Sequence, residues 1–145
     1  MRGYHYDVLT KRSVGPVAVG TTGTGQTGKI VDRKGYRRVE FIFSYGAMTA
    51  TSAVVSVVVK EGDVTGTMTS IADADLEGTE LLAGVAAAAT RTSDVSKLVT
   101  KRLGYKGSKR YVQVSKLSST VTAATVVGAV VLLSEPESSP TSPAQ

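Results

Sequence analysis

Apolar and polar residues alternate in three segments of the chain. In residues 37–45 apolar side chains occupy every second position, and Arg38, Glu40 and Ser44 fall between them. A two-residue period is typical of a β-strand with one buried face. Residues 52–60 and 110–117 show the same period. The pattern predicts three strands, with inward residues Val39, Phe41, Phe43 and Tyr45, then Ala53, Val55, Val57 and Val59, and then Val112 and Val114.

The other apolar segments are shorter or less regular. Residues 1–19 predict one or two short strands, with Pro16 near an end or at a sheet edge because proline cannot donate to a central ladder. Residues 81–90 are alanine-rich and fit either a helical turn or a loop packed on the sheet. Further strands are predicted over residues 68–71, 95–103 and 121–133.

Turns rich in glycine separate these segments and no helical period interrupts them. Gly46, Gly66 and the pairs at 62–63 and 106–107 mark the turns. Short strands at this spacing predict an all-β fold, an antiparallel β-sandwich or a jelly-roll-like arrangement. We expect one domain over residues 1–133, with an exposed Gly-rich loop at 20–28 and a flexible Ser/Pro-rich tail at 134–145.

The composition excludes several classes of protein. The 145 residues include no cysteine, which excludes disulfides, thiolate metal sites and a cysteine nucleophile. The first residues lack the apolar segment of a signal peptide. The apolar run 121–133 is shorter than the roughly 20 residues of a membrane helix, so no membrane role is expected.

Positive charge is concentrated in one part of the chain. The net charge is +5, but residues 91–116 contain eight basic residues and a single acid, Asp94, which gives that segment a net charge of +7. A solvated face of a strand pair explains such a segment most simply. An acidic protein surface is the next interpretation, and nucleic acid is the least favoured partner.

The Gly-rich loop resembles a phosphate-binding loop but departs from it at a critical position. Residues 23–29 have the required spacing, yet Ile30 stands where a Ser or Thr would hold magnesium. A phosphate loop must also open a helix, whereas residues 31–35 lead into a strand. Gly23, Gly25 and Gly28 match a dinucleotide pattern without its βαβ unit. We therefore expect a flexible hairpin or arm.

No other group of residues predicts catalysis or metal binding. His5 is the only histidine and has no orienting partner in the sequence. Asp73, Asp75 and Glu77 fit no calcium-loop spacing and predict a solvated turn. We expect no enzyme activity, no cofactor and no metal. Four tyrosines could stack on a sugar or a base, although strand-end packing or a protein interface explains them better: Tyr36, Tyr45, Tyr105 and Tyr111.

Four segments of the chain together resemble a known group of proteins. They cover residues 31–36, 71–79, 104–112 and 126–132. Their amino-acid sequences resemble those of small proteins encoded beside the head genes of tailed bacteriophages and prophages, and the resemblance covers about residues 29–133. The resemblance implies a virion structural protein with a β-sandwich or jelly-roll fold. It leaves open whether the subunit decorates the shell, forms the base of a head spike or belongs to the tail.

These observations lead to a functional expectation. The chain is expected to bind the outside of a tailed-phage capsid and to decorate or stabilise it, as a homo-oligomer with a trimer as the default. The major capsid protein or another virion protein is the expected partner, and the virion head is the expected location after synthesis in the host cytoplasm. A vertex spike base or a receptor- or glycan-binding tail component is the alternative. The residues expected to bind the partner are Arg33, Lys34, Arg37, Arg102, Tyr105, Lys106, Lys109, Arg110 and Tyr111.

Overall fold

The computed structural model describes residues 7–19, 25–47, 54–86, 99–119 and 125–137. Short helical segments lie at Asp73–Asp75, a 3-10 turn, and at Glu80–Ala83, named α1. The strands are β1 (Val8–Val19), β2 (Gly25–Thr27), β3 (Val31–Asp32), β4 (Tyr36–Tyr45), β5 (Val54–Val64), β6 (Thr67–Ser70), β7 (Leu76–Glu77), β8 (Val85–Ala86), β9 (Val99–Tyr105), β10 (Tyr111–Ser119) and β11 (Thr125–Pro136).

The strands form two antiparallel sheets. The first sheet has the order β1-β11-β4-β9-β7, and the second has the order β2-β10-β5-β6, with β3 also paired to β10 and β8 to β5. The chain changes sheet between β9 and β10 and again between β10 and β11. Two sheets packed face to face bury one face of each. The predicted all-β antiparallel sandwich is confirmed.

The core lies between the two sheets and follows the predicted alternation. In β4 the side chains of Val39, Phe41, Phe43 and Tyr45 are all buried, and the two phenylalanine rings stack with their centroids 6.4 Å apart. Full burial of one such side chain contributes roughly 1.5–3 kcal/mol to folding. β11, the neighbour of β4 in the first sheet, adds Val127, Ala129, Val131 and Leu133 to the same buried face. The residues that face them from the second sheet come from β5 and β10, and they include Val55, Val57, Val59, Val112 and Val114.

β1 is a single long strand at the edge of the first sheet, where two register shifts interrupt its pairing with β11. Pro16 lies inside the second shift, between Val14 and Val17. The edge position predicted for this proline is confirmed, because an edge strand tolerates a residue without an N–H donor.

β5 does not end at Gly62, where the sequence predicts a turn. The strand continues to Val64, and a register shift between Glu61 and Val64 contains the glycine. A Cβ atom at Gly62 would lie 2.5 Å from the carbonyl oxygen of Thr67. Glycine is therefore needed for the close approach of β5 and β6, and the turn itself comes later in the chain.

β11 extends beyond its predicted end at residue 133. Ser134 pairs with both Val8 and Arg38, and the strand ends at Pro136. The amide of Glu137 then donates to the carbonyl of Gly35 at 2.8 Å. The predicted start of the tail at residue 134 is wrong, because polar residues continue a strand whose two neighbours are in place. The rest of the predicted tail, 138–145, lies outside the described residues.

Part of the predicted Gly-rich loop is also ordered. β2 pairs with β10, and the amide of Gly28 donates to the carbonyl of Val114 at 2.8 Å. Gly28 is buried, and a Cβ atom there would lie 2.4 Å from Ser13 Oγ. The prediction of an exposed, flexible loop is thus wrong for residues 25–28, whereas residues 20–24 lie outside the described residues. The expectation that no helix follows this loop is confirmed, since β3 does.

Candidate functional site

The segment predicted to form one basic surface is divided between the two sheets. β9 pairs with β4 and β7 in the first sheet, while β10 pairs with β5, β2 and β3 in the second. The interpretation of residues 91–116 as the solvated face of one strand pair is therefore wrong. Residues 91–98 lie outside the described ranges.

Lys116, the last basic residue of that segment, is fully buried in the core. Its position follows the alternation of β10, which places it on the same face as Val112 and Val114. Its ammonium nitrogen Nζ donates to the carbonyl oxygen of Gly128 at 2.7 Å and lies 4.3 Å from the ring centroid of Tyr45. Burial lowers the pKa of Lys116 to about 7.

The outer face of the first sheet carries a concavity of about 590 Å³, which we call the charged groove. It lies over β4, β9 and β11, and the buried faces of these strands form the core on the opposite side. Gly104 leaves space for the side chain of Glu77, since a Cβ atom there would lie 2.9 Å from Glu77 Oε2. The charged residues that line the groove are Arg37, Arg38, Arg102 and Lys106 together with Glu40, Glu77 and Glu135.

Two of the four cations in the charged groove are paired. Arg38 Nε lies 2.6 Å from Glu135 Oε1, and Arg102 Nε lies 3.4 Å from Glu40 Oε1. Within the described part of the chain, Arg37 and Lys106 form no ion pair. The groove therefore offers two available positive charges beside two solvated ion pairs, and solvated pairs hold each other only weakly.

A second cluster of predicted residues lies at the start of β10 and beside β3. The guanidinium of Arg110 binds the carboxylate of Asp32 through two nitrogens, Nε to Oδ1 at 3.1 Å and Nη2 to Oδ2 at 2.6 Å. This hydrogen bonding lowers the pKa of Asp32. Arg110 also lies 4.9 Å from the ring centroid of Tyr111.

The same cluster contains the remaining predicted lysines and Arg33. Lys109 Nζ lies 2.5 Å from Asp63 Oδ2, and the amide of Lys34 donates to Asp32 Oδ1 at 2.9 Å. The amide of Arg33 donates to the carbonyl of Arg110 at 3.0 Å. Because acids neutralise Lys109 and Arg110, this cluster provides less positive charge than the sequence suggests.

Tyr105 is a core residue, which corrects its prediction as a surface contact. Its hydroxyl donates to the Glu61 carboxylate and accepts from the amide of Lys109 at 3.1 Å. The guanidinium of Arg33 lies 5.2 Å from the ring centroid of Tyr105. Burial, reinforced by Glu61, raises the pKa of Tyr105. Its ring therefore joins the charged groove to the second cluster without being open to a ligand.

The structure brings together Arg37, Arg102 and Lys106 from the predicted set, and it adds acidic residues that the sequence analysis did not include. Glu40 and Glu77 were visible in the sequence, Glu40 as an outward residue of β4. Glu135 was missed because it was assigned to the tail. The alternation of β4 is the sequence signal that indicates part of this groove, since it places Arg38 and Glu40 on one outer face.

The other predicted chemistry contributes little to this site. His5 lies outside the described residues. Asp73 and Asp75 form the 3-10 turn, and the described residues contain no group of three side chains that could hold a metal ion. The described helices also lack the length and apolar character needed to cross a membrane.

Solved structures share the fold at low sequence identity. The PBSX exported protein XepA has a TM-score of 0.53 at 14% identity, over 92% of this chain and 39% of its own. The VP2 subviral particle of infectious bursal disease virus has a TM-score of 0.55 at 8% identity, over 92% of this chain and 34% of its own. T=1 particles derived from infectious bursal virus have a TM-score of 0.51 at 10% identity, over 90% of this chain and 32% of their own.

These similarities concern the fold alone. The chain spans well under half the length of each of these proteins. No protein-family model and no curated relative matches the chain.

Proposed function

We propose that this protein is a virion structural protein that binds the outside of a tailed-phage capsid and decorates or stabilises it. The assignment to virion structural proteins rests on the resemblance of residues 29–133 to head-associated phage proteins. A sandwich fold shared with a protein of viral particles supports it. In this proposal the partner is the major capsid protein, the subunit acts as a homo-oligomer on the head after synthesis in the host cytoplasm, and it has no catalytic activity.

The charged groove is the observation that carries the proposed contact. Arg37 and Lys106 lie beside it without an ion pair in the described chain, while Arg38 and Arg102 are held by Glu135 and Glu40. A concave surface with available cations fits a protruding acidic segment of the shell protein, because complementary charge steers docking and fixes its orientation. Many such contacts on a repeated shell add up even where each one is weak.

The test is a charge reversal in the groove. Arg37→Glu combined with Lys106→Glu should lower occupancy on purified particles by about tenfold at low salt, with a smaller effect as salt screens the charges. Lys11→Glu combined with Lys29→Glu changes the net charge equally at two exposed residues outside the groove, and it should leave occupancy unchanged. Quantitative mass spectrometry against the shell protein gives the occupancy. Equal occupancy of both variants would overturn the groove assignment.

The tail or spike alternative differs in copy number and in surface chemistry. A copy number close to that of the shell protein supports decoration, whereas restriction to the vertices supports a spike base. A glycan-binding role needs exposed aromatic rings. Of the four tyrosines considered, Tyr45 and Tyr105 are buried and cannot contribute to such a surface, which counts against the glycan-binding alternative.

A further inference from the structure

The short helix α1 carries two strongly exposed leucines. Leu81 is 88% exposed and Leu82 is 67% exposed, the highest values among the exposed large apolar residues of the described chain. Adjacent large apolar side chains in water mark interaction sites more often than isolated ones do. We call these two residues the leucine pair.

The helix that carries the leucine pair is anchored to the second sheet. Thr79 caps it, accepting from the amide of Leu82 through its hydroxyl at 3.2 Å. Glu80 Oε1 accepts from the backbone amide of Val59 in β5 at 2.6 Å. A carboxylate that replaces a backbone partner in this way fixes the helix to the strand.

The same helix is anchored to the first sheet as well. The buried hydroxyl of Tyr45 donates to the carbonyl of Ala83 at 2.6 Å, and Lys101 Nζ donates to the carbonyl of Leu82 at 3.0 Å. The leucine pair therefore projects from a fixed support. Groups held in place before binding lose little conformational entropy when they bind.

An apolar depression lies directly beside the leucine pair. It has a volume of about 240 Å³ and is lined by Val54, Val55, Ser56, Val57, Leu81 and Gly84, with Glu80 as its charged residue. We call it the α1 groove. An apolar projection and an apolar depression thus share one face of the molecule.

We propose that the leucine pair and the α1 groove form the surface through which copies of this chain associate, with the leucines of one copy seated in the groove of another. A second copy is the occupant because the face carries both halves of the contact. It also carries both charges, Glu80 at the groove and Lys101 at the helix. Each makes one hydrogen bond within its own chain, and the second carboxylate oxygen and the remaining ammonium donors can face the opposite charge of a second copy. Reciprocal pairing closes as a dimer, and head-to-tail pairing forms a ring where the rotation between successive copies closes and a filament where it does not.

This inference deepens the homo-oligomer named in the proposed function and rests on that part of it, but it is tested on the purified chain alone, so its failure is distinct from a failure to bind the capsid. Sedimentation velocity over a concentration series measures the association without any capsid present. The wild-type chain should associate reversibly. The double variant Leu81→Gln/Leu82→Gln should lower the association constant by at least about tenfold.

A matched control separates the proposed contact from general hydrophobicity. Val64 is also a large exposed apolar residue, 59% exposed, at the end of β5, and Val64→Gln should associate like the wild type. All variants should keep the wild-type thermal midpoint, since exposed positions affect folding little. A wild-type chain that remains monomeric, or a double variant that associates as the wild type does, would overturn the inference.

A second variant tests the groove separately from the leucines. Ser56 is exposed and lines the α1 groove, and Ser56→Glu places a charge there while the leucine pair stays intact. It should weaken association to a similar extent. Mixing it with the single variant Leu82→Gln should restore part of the association, because Leu82 does not line the groove, so that an intact groove on one chain then meets the intact leucine pair of the other. Normal self-association of Ser56→Glu would contradict the role of the groove.

Discussion

Lys116 is a cation placed where the alternation of its strand requires an apolar side chain. In the core its ammonium group makes one hydrogen bond, to the carbonyl of Gly128. It also lies over the aromatic rings of Tyr45 and Phe43. Water would solvate the ammonium group far better, so the neutral amine is favoured and the pKa falls to about 7. At neutral pH this residue opposes folding compared with an apolar residue of similar length.

This burial predicts a pH dependence of stability. Lys116 has a pKa of about 7 in the folded protein and about 10.4 in the unfolded chain, so the unfolded chain binds more protons between these values. The free energy of unfolding should therefore rise with pH in this window. Relative to Lys116→Met, the wild-type chain should gain roughly 2 kcal/mol between pH 7 and pH 9.

Urea unfolding of both proteins at the two pH values measures the difference. Lys116→Met should also be the more stable protein at pH 7, because its side chain fills the same space without a charge. If the free energies of unfolding of the two proteins change by the same amount from pH 7 to pH 9, the lysine is solvated in the folded state.

At the scale of elements, the contact between β1 and the residues after β2 depends on Gly28. Its amide binds the carbonyl of Val114, and the amide of Lys29 donates to the carbonyl of Ser13 at 2.8 Å. A side chain at residue 28 has no space between these backbones. The edge strand β1 and the interior strand β10 are connected here through residues 28 and 29, which links the two sheets.

Gly28→Ala should therefore lower the free energy of unfolding by roughly 1–3 kcal/mol, since the added methyl group meets backbone atoms that cannot move aside. The control is Gly66→Ala, where a Cβ atom meets nothing within 4 Å and which should be neutral or slightly stabilising. Chemical denaturation of both variants measures the difference. Equal denaturation midpoints for Gly28→Ala and Gly66→Ala would refute the close contact.

The sequence predicted most elements and a smaller part of the site. Alternation located β4 and the inward valines of β10 because one face of each strand is buried. It could not say which strands pair, so Arg102 and Arg110 were assigned to one surface although they lie on different sheets. Residue type predicts Lys116 and Tyr105 at the surface, whereas their positions in the strand period put both side chains on the buried face. Glu135 was missed because pairing extends β11 into polar residues.

At the scale of the whole molecule, α1 fastens the two sheets together at one end of the sandwich. Tyr45 reaches it from the first sheet and Val59 from the second. The hydroxyl of Tyr45 is buried, and burial raises its pKa, so it stays protonated and donates over the whole physiological range.

Removing that donor should weaken the whole sandwich. Tyr45→Phe leaves the buried carbonyl of Ala83 without its partner and should cost about 1–3 kcal/mol in the free energy of unfolding. Tyr36→Phe removes a hydroxyl at the start of the same strand and should cost less. Thermal unfolding of the two variants gives the comparison, and equal losses would indicate that the helix is not held by this bond.

The pairing of β1 with β11 has a consequence for the way the chain is made. Val8 lies opposite Ser134, and among the described strands β11 is the one that pairs β1 to the first sheet. At a synthesis rate of about 5–20 residues per second, β1 leaves the ribosome roughly 5–20 s before its partner strand exists. The first sheet is therefore completed only after β11 has been synthesised, and until then the backbone N–H and C=O groups of β4 that will pair with β11 remain open to pairing with other nascent chains.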